Sequence, residues 1–467
     1  MLFSSSTFLF AFLPIVVFVY YVFLRKHRNL QNVFLLISSL IFYAWGEVTF
    51  VFVMMLSIVA NYLFGLFVSK SQKTRKKKLA LVLSIVFNLS ILFVFKYLVF
   101  TLTNINSVFG ANISVPDIAL PIGISFFTFQ AMSYVIDVYR GEEVQKNILN
   151  VGLYISFFPQ LIAGPIVRYN TVAHQILHRK ESFDKFSSGV CRFIIGLGKK
   201  VLLANSMAVV ADAAFNGDIS NTSASFAWVG AIAYTMQIFF DFSGYSDMAI
   251  GLGRMFGFEF LENFNYPYIS CSITEFWRRW HISLGTWFRD YVYFPLGGSR
   301  VKSKGRLIFN LFIVWLLTGI WHGANWTFIV WGLMYFVLLV IEKLTGLHKT
   351  SKLKVVRYIY TILFVVLGWV IFRADTLNDA MNYLGVMFGS NGVLIDNFTA
   401  FYCKENIVYF IAGLICCTPL IRYIYNKTIN KNRIVPVLVV LSLMIIAFLS
   451  VIYIIKGTYN PFIYFNF

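Results

Sequence analysis

The sequence predicts an all-α integral membrane protein, and three observations carry that prediction. The 467 residues are 59% hydrophobic and only 13% charged, with a mean hydropathy of +0.74, well outside the range of soluble domains of this size. The apolar runs are continuous and often long enough to cross a bilayer as helices, whereas barrel strands alternate over short segments. Finally, the 39 Lys and Arg residues outnumber the 20 Asp and Glu residues, but they sit in short loops between apolar runs. That is the pattern of membrane orientation, and it argues against nucleic acid as a partner.

In chain order, residues 7–24 form the first apolar run. It follows uncharged polar residues, with no basic leader and no obvious cleavage site, so it reads as a retained first span. Runs at 30–45, 48–68 and 79–100 follow. Arg25, Lys26, His27 and Arg28 occupy the first loop, and Lys70 to Lys78 fill the third. Residues 46–47 and 101–117 carry no Lys or Arg, so the basic loops are expected in the cytoplasm and the N-terminus outside. At the other end, Lys343 to Arg357 precede the run at 358–372, and Arg422 to Arg433 separate 407–420 from 434–455. The acidic stretch 375–404 and the tail 459–467 then fall outside.

The middle third is less regular. Runs at 120–136 and 153–164 are short and interrupted by Pro121, Pro159 and Pro165. Broken helices at membrane depth are tolerated where protein or a water-filled cavity satisfies the freed backbone groups, so this region is expected to wrap a cavity. The long run 226–256 is interrupted by Asp241, Ser243, Gly244, Tyr245 and Asp247. It reads equally as a polar kink packed on a neighbour or as a cavity lining. No internal repeat of the alternating-access kind is visible. The expected organisation is one polytopic domain of about 10 to 12 transmembrane or re-entrant helices. N-terminal spans cover 1–118, a core carrying the chemistry 119–343, and C-terminal spans with an outer tail 344–467.

Residues 263–331 hold most of the reactive side chains found within apolar sequence, and such groups are expensive there unless they serve a function. His322 stands between Trp321 and Gly323, with Asn325 just beyond. The run from Leu307 to Trp321 covers about 15 residues, or about 22 Å as a helix, against a hydrocarbon core of about 30 Å. His322 is therefore expected inside the membrane. A neutral imidazole in a dry pocket suits a general base that takes a proton from a hydroxyl, with Trp321 and Trp326 as packing or gating neighbours. Gly319 and Gly323 would relieve crowding around it. The bland alternative is a hydrogen-bonded core histidine.

His281 lies in FWRRWHISLGTWFRDYVYFPLGG from Phe276. On a continuous helix Trp277 and His281 would share one face, and Arg278 and Ile282 another. Either the stretch is an interfacial helix anchored by Trp277, Trp280 and Trp287, or it is re-entrant, with Arg278 and Arg279 meeting an anionic donor. In both cases His281 supports rather than reacts. Cys191, Cys271, Cys403, Cys416 and Cys417 show no metal-ligand spacing and read as packing residues. G-x-S-x-G, HExxH and Walker patterns are absent, and GLGRMFG from Gly251 follows a membrane run instead of a strand.

Several stretches together resemble the membrane-bound O-acyltransferase superfamily, in the branch of the bacterial alginate O-acetylase. They are SFFTFQAMSYVIDVYRG from Ser125, FFPQLIAGPIVRY from Phe157, FFDFSGYSDMAIGLGRMFGF from Phe239, ENFNYPY from Glu262, the His281 stretch, and TGIWHGANWTFIVWG from Thr318. The resemblance implies a horseshoe of helices around a central funnel in a bacterial plasma membrane. It makes His322 the principal catalytic residue and His281 the second family histidine, with Trp277, Arg278, Arg279, Asp290, Trp321 and Asn325 as candidates for lining the funnel or meeting the donor. No bound cofactor or metal is implied. The donor would be a cytoplasmic thioester such as acetyl-CoA, and the acceptor an exported polysaccharide. The implied partners are an SGNH-type extracytoplasmic acetyltransferase and the polysaccharide synthesis machinery.

The tail from Asn460 also resembles an aromatic motif of this branch and of teichoic acid D-alanylation systems. Tyr464 there is a candidate acyl carrier, and an aromatic belt at the outer interface is the simpler reading. D-alanyl transfer to teichoic acid, or a transporter that makes no bonds, remain the competing functions.

Overall fold

The computed structural model describes all residues except 47, 163, 348–352, 430–433, 458 and 464–467. Tyr464 therefore lies outside the described residues. The described chain is all helix, turn and coil, without strands. Among the described residues, seven helices are long and apolar enough to cross a membrane, or eight if the bent pair Asn397–Cys416 and Leu420–Thr428, meeting at 64°, is one span. The excess of the expected number over this one consists of helices too short to cross, such as Ile148–Ser156, or rich in polar residues, such as Ala224–Met255. The helix Ile434–Lys456 shows what faces lipid: Leu438, Met444, Ile445 and Phe448 are all more than half exposed, which only an apolar solvent tolerates on such a scale.

Contacts divide the chain into two compact units, residues 1–193 with 246–261, and residues 194–245 with 262–467. In the first, the spans Val48–Lys70 and Thr74–Phe109 are joined by a reciprocal amide pair. Asn61 Nδ2 donates to Asn88 Oδ1 (3.0 Å) and Asn88 Nδ2 to Asn61 Oδ1 (2.8 Å), both side chains being buried. Between apolar helices that exchange supplies the specificity that hydrophobicity alone cannot. The expected proline-broken region becomes the interior helices Ile124–Arg140, Ile148–Ser156 and Phe158–Leu161. The first starts at Gly123, whose φ of +75° and close approach to the Leu161 carbonyl (2.7 Å from an added Cβ) only glycine accommodates. Arg192 and Asp247 pair at 2.6 Å in the same unit.

In the second unit, Lys304–His322 and Trp326–Thr345 form an antiparallel hairpin whose helices nearly touch. A Cβ at Gly319 would stand 2.6 Å from the Phe328 carbonyl oxygen, and one at Gly332 2.6 Å from that of Trp315. Small residues thus set the interhelical distance. A second core packs Val366 and Val370 against Ala227, Ala231 and Tyr383. The expected interruption at 241–247 does not break the helix: Ala224–Met255 runs unbroken for 32 residues. Its carboxylates are neutralised by Lys200 and Arg192 instead of by exposed backbone.

Candidate active site

Everything in this site belongs to the second unit. His322 is the last residue of Lys304–His322 and is 7% exposed. Its ring meets the edges or faces of Trp321, Trp331 and Phe372 at 4.9, 5.0 and 5.2 Å between centroids, each close to perpendicular. Gly323 explains how such bulk is admitted there: a Cβ would fall 2.2 Å from the Phe328 ring. The expectation that Gly319 and Gly323 relieve crowding therefore acquires a mechanism. Trp331 supplies the second indole against the histidine, while Trp326 is about half exposed.

Trp331 belongs to a larger aromatic block. Trp277 lies 5.4 Å from it, 4.9 Å from Trp315 and 4.8 Å from Tyr335. Trp277 Nε1, Trp331 Nε1 and the Tyr335 hydroxyl are buried without a hydrogen-bond partner among the described residues. Of the three, Trp331 packs directly on the His322 imidazole at 5.0 Å, while Trp277 and Tyr335 pack on Trp331 at 5.4 and 5.2 Å. Unmet donors of this kind are costly in a folded interior.

The His281 stretch is not one helix, so the faces expected from a continuous helix do not form. It breaks into Ile273–Arg279 and Ile282–Phe288, with His281 between them in the left-handed region at φ +44°. For a non-glycine residue that conformation costs of order 1 kcal/mol or more and marks a place held by its surroundings. Asn263 does the holding. Its side-chain oxygen accepts from Ser283 N (3.1 Å) and Ser283 Oγ (2.9 Å), its carbonyl accepts from Ile282 N (2.9 Å), and His281 Nδ1 lies 3.2 Å from the same Oδ1. An amide oxygen engaged by other donors accepts a proton from the ring as well. The network thus assigns the proton to Nδ1 and the lone pair to Nε2.

The His281 ring stands 4.6 Å from Phe242 and 6.0 Å from Trp321. Trp321 therefore touches both imidazoles. Burial, and after it the neighbouring His322, hold His281 well below the ordinary histidine range.

The N-terminus of Ile273–Arg279 is fixed twice. Ser272 Oγ accepts from Glu275 N (3.0 Å), capping the helix, while Glu275 Oε2 reaches back one residue beyond the cap to accept from Cys271 N (3.0 Å). The buried Glu342, three turns beyond Trp331 on its helix, accepts from Ile273 N (2.6 Å), Thr274 N (2.9 Å) and Thr274 Oγ1 (2.6 Å).

The remaining candidates separate by environment. Arg278 is exposed, the Arg279 guanidinium is engaged by Glu275 and the Asn265 carbonyl, and Asp290 pairs with Arg289. Asn325 caps Trp326–Thr345 by accepting from Thr327 N, and donates to the Asp375 carbonyl at 2.7 Å.

Asn325 also lines a cavity of about 410 Å³, with Asp212, Gln237, Phe328, Phe372, Arg373 and the C-terminal residues Asn460 to Ile463. Phe372 is common to the cavity and to the His322 cage. Among the described residues no cluster of potential metal ligands exists. Sequence reasoning gave no role to Asn263, Glu342 or Lys200. An ionisable residue inside an apolar run was the available signal for the last two.

The site places two buried imidazoles on an all-helical membrane scaffold, and similarity to known proteins defines the class of protein that carries it. The profile of the membrane-bound O-acyltransferase family matches residues 37–378, and the chain belongs to that family. It is thus a multi-pass membrane O-acyltransferase. It is 47% identical over 395 residues to a probable alginate O-acetylase of Pseudomonas syringae pv. tomato, covering 83% of this chain and 75% of that one. It is 37% identical over 431 residues to a peptidoglycan O-acetyltransferase of Helicobacter pylori, covering 84% and 81%. A teichoic acid D-alanyltransferase of Bacillus subtilis is more distant, 31% identical over 272 residues that make up 54% of this chain and 68% of the other.

Proposed function

We propose that the chain moves acetyl groups from a cytoplasmic thioester, acetyl-CoA being the simplest, to a hydroxyl on the outer side for O-acetylation of an exported or cell-wall polysaccharide. The observation that carries the proposal is the placement of His322: buried at a helix end, caged by aromatic rings, and one phenyl ring from a cavity with a polar lining.

His322 is the general base. Its imidazole takes the proton of the acceptor hydroxyl as that oxygen attacks the thioester carbonyl carbon. Collapse of the tetrahedral adduct breaks the carbon–sulfur bond, and the imidazolium returns the proton to the departing thiolate. The indole N–H of Trp331, whose ring packs on His322, is available to the developing oxyanion. His281, fixed by Asn263, supports that site from the far side of Trp321.

The cavity is the acceptor side, because Asp375 borders it and the charge pattern assigns residues 375–404 to the outside. The same charge pattern puts the termini outside, and the bacterial origin of the relatives makes a bacterial plasma membrane the proposed location. An SGNH-type acetyltransferase would carry the acetyl group onward to the polymer.

His322→Ala should abolish acetyl transfer while the protein still accumulates in the membrane. Retained transfer would refute the role given to it. Feeding labelled acetate in parallel with labelled D-alanine, and recovering the label from cell-envelope polymer, decides which acyl group moves.

A further inference from the structure

The charged pair Lys200 and Asp241 lies deep in the second unit, outside the histidine cage. Their oxygens and nitrogen meet at 2.6 Å, and the two side chains are 3% and 2% exposed. Lys200 sits on the span Phe183–Phe215 and Asp241 on Ala224–Met255. Holding those helices together does not require the pair. One turn along, Gly244 already brings them into backbone contact, an added Cβ standing 2.7 Å from the Gly196 carbonyl oxygen and 3.1 Å from Lys200 N.

Both charged groups instead use their remaining bonding capacity on the C-terminal segment. Lys200 Nζ donates to the Pro461 carbonyl, and Asp241 Oδ2 accepts from Ile463 N at 2.9 Å. These are backbone groups two residues apart, so the pair reads the path of the chain. Between them Phe462 is 4% exposed, its ring 5.0 Å from Tyr245 and 5.8 Å from the Lys200 ammonium. Just before, the Tyr459 hydroxyl donates to Asp212, which Arg373 holds at 3.0 Å. The segment that follows the last span is thus gripped along its length, and it forms one wall of the cavity that shares Phe372 with His322.

We propose that Lys200 and Asp241 are positioning residues which seat the C-terminal segment Asn460 to Ile463 as a wall of the cavity beside His322, and that acyl transfer depends on this seating. The proposal rests on the reading of the cavity as the acceptor side. Two buried charges in apolar helices are costly to maintain, and here their bonds to the segment account for them.

The test uses the full-length protein in native membranes. In a Cys191→Ser background, Ile463→Cys keeps the N–H that Asp241 accepts and adds a thiol at a 6% exposed position. Its reaction with a soluble maleimide, counted against the same protein without the new thiol, reads the seating directly. The double variant Lys200→Met, Asp241→Leu removes both charges together, which apolar pairs of similar size usually tolerate without loss of fold. It also removes both grips on the segment.

The expected result is maleimide reaction at least about tenfold faster and acetyl transfer at least about tenfold slower, a shift of one decade in the seated population, with an unchanged melting temperature. In His322→Ala, transfer should vanish while the thiol stays shielded. Unchanged labelling in the double variant overturns the proposal, as does faster labelling with native transfer.

Ile463→Pro provides a second arm should the double variant fail to accumulate. It deletes the one N–H that Asp241 accepts and leaves the ion pair intact, and native transfer in that variant also overturns the proposal. If the wild-type chain moved no acetyl group, the reading of its function would fail, and labelling would still decide the seating.

Discussion

Glu342 makes the dependence of the site on remote hydrogen bonds measurable. Its two carboxyl oxygens accept from Ile273 N, Thr274 N and Thr274 Oγ1, all within 2.9 Å, and the residue is fully buried. Glu342→Gln preserves size and shape but turns one oxygen into a donor. In one orientation the new NH2 faces Ile273 N. In the other it faces Thr274 N, although the Thr274 hydroxyl can then rotate to accept. Either way one buried backbone N–H loses its acceptor, at a cost of about 1 to 3 kcal/mol.

Glu342→Ala strands all three donors and opens a void, so about 3 kcal/mol or more is expected from the two effects together. Because the anchored helix Ile273–Arg279 leads directly into His281, the loss should reach the chemistry. Displacements of about 1 Å at a catalytic group cost about a hundredfold. Melting temperature in detergent and initial rate of acetyl transfer on matched protein amounts are the assays. The expected order in both is wild type, then Gln, then Ala. A Gln variant with native melting and native rate, or an Ala variant no worse than Gln, would refute the idea that Glu342 sets the position of His281.

Other consequences follow from the same geometry. Asn263→Ala should lower the transfer rate more than it lowers the melting temperature, since it frees the His281 ring along with the Ser283 contacts, each bond contributing about 1 kcal/mol; Asn263→Asp, which keeps the acceptor, should retain more activity. Replacing Gly332 by Val should prevent accumulation of folded protein, because even its Cβ would stand 2.6 Å from the Trp315 carbonyl oxygen and overpacking costs about 1 to 3 kcal/mol or more. This is read by the yield of monodisperse protein. At position 281, Gly should be more stable than Ala by about 1 kcal/mol because φ is +44° there, although both lose the imidazole.

A pH dependence is expected as well. His281 is held well below its ordinary range, so the unfolded chain takes up a proton near pH 6.5 that the folded one refuses. Stability is therefore full above that pH and declines as pH falls through it, and His281→Asn should abolish that part of the slope in a melting series.

Much of this was legible in the sequence because it depends on composition and spacing. The spans are apolar and long, and the glycines around His322 stand where bulk would collide. The helix leading to His322 does end at that residue, but it begins at Lys304 and has 19 residues, longer than the apolar run that was countable in the sequence. The His281 stretch was misread for a local reason. Its i,i+4 pattern is helical on both sides, and only Asn263, eighteen residues earlier, captures Ser283 and turns His281 into the left-handed region. A long-range hydrogen bond of that kind leaves no trace in local periodicity. Asp241 was visible as a charge in an apolar run, but kink and cavity lining read equally there, because its partner lies forty-one residues upstream and its other bond is to backbone.

These long-range ties share a logic. In an apolar surrounding, packing alone fixes helices loosely along their length, because one hydrocarbon contact resembles another. The groups that determine position are the few buried polar ones that bond to backbone. Here they are Glu342 on two backbone N–H groups, Asn263 on the His281 turn, and Lys200 with Asp241 on the C-terminal segment. Each ends on backbone, so each constrains where a segment runs whatever side chains it carries. Removing any one should therefore lower transfer out of proportion to stability, whereas trimming a lipid-facing residue such as Met444 should change neither. A variant series in which the losses in rate simply tracked the losses in melting temperature would show these bonds to be ordinary packing.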